Sequence, residues 1–158
     1  MRTTLLYAMP LKSDITVESP LRRTILVVEC QFAADASPNT AARLRKRLLA
    51  DGYLDVPLDS FFMLALPSSF HLWKPAAPPE GPPSCSAGAT PVLQSYLGKI
   101  AEQTPWPGAE SMELAISAWL SDLAGSLRKP DASEADHMLV SAGLYDLIRG
   151  GTVRRELA

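Results

Sequence analysis

An α/β domain, with a mixed β-sheet core flanked by helices and a helical C-terminal half, is what the 158-residue sequence predicts. Three observations carry it. Residues 24–30, TILVVEC, are apolar on both faces, which marks a strand covered on both sides. A helical pattern at 37–52 stands between that strand and two further strand-like runs, an order that suggests a helix crossing a sheet. Beyond a proline-rich stretch the apolar spacing changes from strand-like to helical and stays so.

In chain order, Thr3–Ala8 and Ser13–Glu18 are short strand-like runs broken at Met9-Pro10, and Ser19-Pro20 is a turn before the central strand. Ser37-Pro38 starts the helix, with Ser as N-cap and Pro tolerated at the first helical position. Ala41, Leu44 and Leu48 form its apolar stripe, Arg43, Lys46 and Arg47 a basic face, and Gly52 its end. Ser60–Leu66 and Ser69–Trp73 form a hairpin across Pro67-Ser68. Residues 75–91 hold six prolines and are expected to be an irregular loop. Helices are expected at Pro91–Thr104, Glu110–Leu127 and Ala132–Ile148, the last capped by Asp131 or Ser133 and stopped at Gly150-Gly151.

The length suits one domain, here 1–158: a sheet core over 1–74, the loop at 75–91 and helices over 92–150 packed on the sheet. With 47% apolar and 20% charged residues the chain has the make-up of a soluble globular protein, not of a disordered tail. Its net charge of −2 argues against a polycation, yet the charge is uneven. Residues 1–50 carry eight Lys/Arg against four Asp/Glu, and residues 51–158 carry seven against thirteen. Cys30 and Cys85 lie far apart with only His71 and His137 for company, which argues against a zinc site or a disulfide framework and for a reducing cytoplasm. No apolar run approaches the ~20 residues of a membrane helix, so no membrane partner is expected.

The chemistry concentrates where two strands meet. Asp14 and Glu29 are carboxylates on neighbouring strands, the second at the end of a buried one. A buried unpaired carboxylate costs several kcal/mol, so Glu29 must be paired, protonated or metal-bound. The pairing alternatives are Arg22, Arg23 or an arginine of the helix, while Asp14 doubles as an ordinary strand-end residue. Two close oxygen donors suit Mg²⁺ (or Mn²⁺), which could activate water and neutralise charge on a phosphate. The Arg43, Arg45, Lys46 and Arg47 cluster of the helix is either simply a solvated face or a sequence-independent phosphate contact. His71 and His137 read as packing or surface residues, Trp73, Trp106 and Trp119 as core or loop anchors. Ser84, Ser86 and Cys85 lie in the proline-rich stretch with no base near them.

An Asp on one strand, a hairpin, Glu-x-Lys on the next and then a helix resembles the core motif of the PD-(D/E)XK nuclease superfamily. Residues 14–73 look like a bacterial branch related to the N-terminal nuclease domain of type I restriction subunits, through Val27-Val28-Glu29, Ser37-Pro38, Phe61–Pro67 and Leu72-Trp73-Lys74. The helix MELAISAWLSDL, Met112–Leu123, is also similar to that group. The resemblance implies a restriction-endonuclease-like fold and Mg²⁺-dependent cleavage of DNA, of a defence or restriction type. Asp14 and Glu29 would bind the metal, Gln31 would stand in the lysine's place, and Arg43, Lys46 and Arg47 would meet the DNA backbone. It implies a homodimer, or association with a partner protein, by analogy. Two departures accompany it. Gln31 can orient water but supplies no positive charge. The family's helix before the first strand, often bearing an acidic residue near the metal, is absent here or supplied otherwise. A catalytically inactive nuclease-fold protein that binds protein or nucleic acid is the alternative, and an antitoxin- or immunity-type partner for a basic protein is a third.

Overall fold

The computed structural model describes residues 14–32, 36–52, 54–100, 109–131 and 133–155. The expected strand at Thr3–Ala8, Ser13, Trp106 and the last residues of the helix predicted to Thr104 lie outside them. Strand β1 is Ile15–Glu18 and β2 is Thr24–Cys30, joined by a turn in which Arg22 takes a positive φ of 65°. Helix α1, Pro38–Ala50, begins where Ser37 accepts the Thr40 N–H on its hydroxyl at 3.2 Å. It ends at Asp51, with Gly52 at φ 74°, a conformation that favours glycine. Strands β3 (Phe61–Ala65) and β4 (Ser69–Trp73) form the hairpin.

The proline-rich stretch is not wholly irregular. Its proline-free segment Cys85–Gly88 is strand β5, antiparallel to β4 and at the sheet's edge, where prolines on either side disturb no central ladder. Helices α2 (Thr90–Ile100) and α3 (Ala109–Ala124) follow. The third predicted helix is two: α4 (Glu134–Ser141) stops before Gly143 at φ 81°, and α5 (Leu144–Ile148) starts after it. Thr152–Arg155 then forms β6, a strand the sequence pattern did not announce. Gly151 makes that return possible: a Cβ there would stand 2.3 Å from the Glu18 carbonyl.

The strand order is β5-β4-β3-β2-β1-β6. Among these strands only β2 and β3 pair in parallel, with α1 crossing between them, and the other pairs are antiparallel, so the sheet is mixed. Alternation divides the apolar residues between two layers. Leu26, Val28, Met63 and Leu72 face Ile116, Trp119, Leu120, Leu139 and Ile148 of the C-terminal helices. Val27, Phe62, Leu64 and Trp73 face Ala41 and Leu44 of α1. Burial on both faces is why β2 and β3 read as unbroken apolar runs, each fully buried Leu or Ile stabilising by roughly 1.5–3 kcal/mol. No helix among the described residues is long and apolar enough to cross a membrane.

Candidate functional site

The β1–β2 pairing assembles the site. Ile15 stands opposite Val28, so Asp14, one residue before β1, falls beside Glu29 at the far end of the same ladder. The Cys30 N–H donates to Asp14 Oδ2 at 2.7 Å, tying the carboxylate to the end of β2. Burial raises the Asp14 carboxyl above its ordinary value, while the Cys30 N–H and a hydrogen bond with Glu113 pull it the other way. Glu29 is pushed up to about 7, first by burial and then by the Asp14 charge, with Gln31 opposing and Glu113 adding to the rise. The Gln31 amide donates to Glu29 Oε2 at 3.0 Å, and its backbone N–H continues the ladder to Ala65 O.

Glu113 of α3 is the residue sequence reasoning passed over. Its carboxyl is raised by burial and by the Asp14 charge, with Arg155 opposing the rise. The clue was its spacing, three and seven residues before Ile116 and Leu120, which puts a carboxylate in the core-facing stripe. Arg155 of β6 stands opposite Ile15 and reaches Glu113 at 3.9 Å. The Cys30 thiol, buried beside these carboxyls, is pushed far above its ordinary value, so it stays a thiol.

The structure thus brings together Asp14, Glu29 and Gln31 and adds Glu113 and Arg155. Among the described residues it gives Glu29 none of the salt bridges considered from sequence: Arg23 pairs with Asp59 at 3.3 Å, and Arg22 is exposed in its turn. Arg43, Lys46 and Arg47 are exposed on α1, roughly one and a half to two and a half turns beyond its start near the end of β2. Arg43 donates to Thr40 Oγ1 at 3.2 Å. Their neighbour Arg45 is no part of a solvated face. It is 6% exposed, lies over the Trp73 ring at 5.0 Å, and donates to the carbonyls of Ala77 and Pro78 at 3.2 and 2.8 Å. His71 is buried two strands from Glu29 and makes its bonds elsewhere, while His137 is exposed on α4 beside Ser141.

Chemically, the cluster is a patch of hard oxygen donors with less positive charge than negative charge to neutralise. Among the described residues no group of three or more His, Cys, Asp or Glu side chains is placed to hold a metal ion. A search against family models, curated proteins and solved structures finds no match to this chain.

Proposed function

We propose that this protein is a divalent-cation-dependent nuclease of the PD-(D/E)XK type acting on DNA phosphodiester bonds. The observation that supports it most is the meeting of Asp14 and Glu29 at the ends of adjacent strands, with Glu113 arriving from α3 behind them. Glu113 would then supply the further acidic residue that the superfamily often carries on a helix before the first strand. Two carboxylates are the usual protein share of a Mg²⁺ site, whose other positions go to water and phosphate oxygens. Bound there, the cation would lower the pKa of a water and neutralise charge on the scissile phosphate. Asp14 is pre-oriented for this by the Cys30 N–H, and Glu29 by Gln31. Glu113 interacts with Asp14 and pairs with Arg155 at 3.9 Å, so it would position the first carboxylate. Arg43, Lys46 and Arg47 give α1 an exposed basic face for the DNA backbone, a contact that weakens steeply with salt.

A second reading, a nuclease-fold binding module without catalysis, is favoured by one contact. The Gln31 amide is spent on Glu29 and brings no charge to a transition state. One set of assays separates the two. Supercoiled and linear DNA are incubated with the purified protein and Mg²⁺ or Mn²⁺, beside Asp14→Ala and Glu29→Ala, and Mn²⁺ binding is followed by calorimetry. Cleavage that falls at least ~100-fold in both variants supports the enzyme, and Gln31→Lys should then cut faster. Mn²⁺ binding without cleavage supports the silent module. Neither cleavage nor binding heat in the wild type would remove the nuclease reading altogether.

A further inference from the structure

The strand pairing brings Ser86 to a base that the sequence did not place near it. β5 lies along β4 with Ser86 opposite His71, and Ser86 Oγ is 2.7 Å from His71 Nδ1. On the far side of the ring, Nε2 is 2.9 Å from the Ala36 carbonyl and 2.9 Å from Ser69 Oγ. A carbonyl only accepts, so Nε2 carries the ring's proton and Nδ1 is left to accept from the Ser86 hydroxyl. Ser69 Oγ in turn donates to Ala36 O at 3.1 Å, which fixes the ring from a second direction. The imidazole is 1% exposed, and burial lowers its pKa, which favours the neutral ring at rest and sets a cost on the proton it must accept. Ser86 itself is exposed. A hydroxyl, a neutral base and a group that orients the base form the arrangement nucleophilic serine catalysis requires.

One further feature points the same way. Ala89 N–H bonds to Ser68 O, while Gly88 N–H is taken by Glu134 Oε1 and so points away from β4. Alternation then turns the Ser86 N–H outward on the same side, beside its own nucleophile, where a developing oxyanion would form.

From this geometry we infer that Ser86 is a nucleophile activated by His71 and that it hydrolyses short-chain carboxylic esters. Ser86 Oγ attacks the ester carbonyl carbon as its proton passes to His71 Nδ1. The C–O bond to the alcohol breaks, and the alcohol leaves with that proton. Water, deprotonated by the same nitrogen, then attacks the acyl-serine, releases the carboxylic acid and restores both residues. This site is separate from the Asp14–Glu29 pair and does not depend on the nuclease reading.

The test is covalent labelling of the whole chain with an alkyl fluorophosphonate, read by intact mass and peptide mapping, together with p-nitrophenyl butyrate turnover. The expected result is a single adduct on Ser86, no such adduct and no turnover in Ser86→Ala, and labelling at least ~100-fold slower in His71→Gln. Because His71 is buried, its variant could be lost to misfolding. The deciding comparison is therefore made within the wild type, between Ser86 and its neighbour Ser84. Labelling of Ser86 no faster than of Ser84, or ester turnover that survives Ser86→Ala, would overturn the inference.

Discussion

Replacing Glu29 with Gln should make the metal-free protein more stable at alkaline pH and leave it unchanged in acid. The folded state raises this carboxyl from 4.5 to about 7 because burial and Asp14 both disfavour its charge. At about 1.4 kcal/mol per tenfold the shift corresponds to an upper bound of about 3 kcal/mol. Solvent around the half-buried group screens it, and about 2 kcal/mol is the figure to expect. The sign follows from which form folding prefers. The protonated form is favoured, so its contribution is fully present below about pH 4.5 and is lost as the pH rises through 7. The amide introduced by Glu29→Gln keeps the neutral shape at every pH, and its oxygen can still accept from the Gln31 amide. Thermal or urea unfolding of wild type and Glu29→Gln without metal, from about pH 4 to 8.5, checks this. The two midpoints should coincide only below about pH 4.5 and part by roughly 4–8 °C at pH 8.5, the variant being higher. Asp14 and Glu113 are also raised, and because their charges interact with Glu29 the difference reports Glu29 together with that coupling. Parallel curves over the whole range would refute the argument that Glu29 is buried against its neighbours' charge.

Two other sites make firm expectations. Asp136 is fully buried and accepts from the Trp119 indole at 2.7 Å, from Arg128 at 2.7 and 3.1 Å and from the Asp131 N–H at 2.9 Å. Asp136→Ala orphans all of these donors and should cost about 3–5 kcal/mol, measured as a fall in the urea midpoint with the slope unchanged. Arg45→Met keeps the stem over Trp73 but removes the donors to Ala77 and Pro78. It should cost about 1–3 kcal/mol and open residues 75–83 to limited proteolysis at rates the wild type does not show.

The legible parts of this fold were those where one local signal sufficed. The apolar runs of β2, β3 and β4 declared their burial, and Ser37-Pro38 gave the start of α1 because capping needs only a hydroxyl and a free N–H three residues on. Strands β5 and β6 were missed for a common reason. Each is a four-residue edge strand with little apolar content, held mainly by the backbone of a neighbour that sequence does not reveal. Gly143 broke the last helix by its own φ, a choice invisible in a pattern of apolar spacing.

The same division runs through the sites. Asp14, Glu29 and Gln31 could be singled out from sequence because the two strands that carry them are consecutive and their register follows from one turn. Glu113 lies 84 positions beyond Glu29, and Ser86 lies 15 beyond its base. Packing of α3 on the sheet and the pairing of β5 with β4 decided those meetings, since a side chain's charge and reactivity depend on what long-range contacts set against it and not on its own identity. Alone, the sequence determined which carboxylates are costly to bury. Only the tertiary structure decided which groups share that cost.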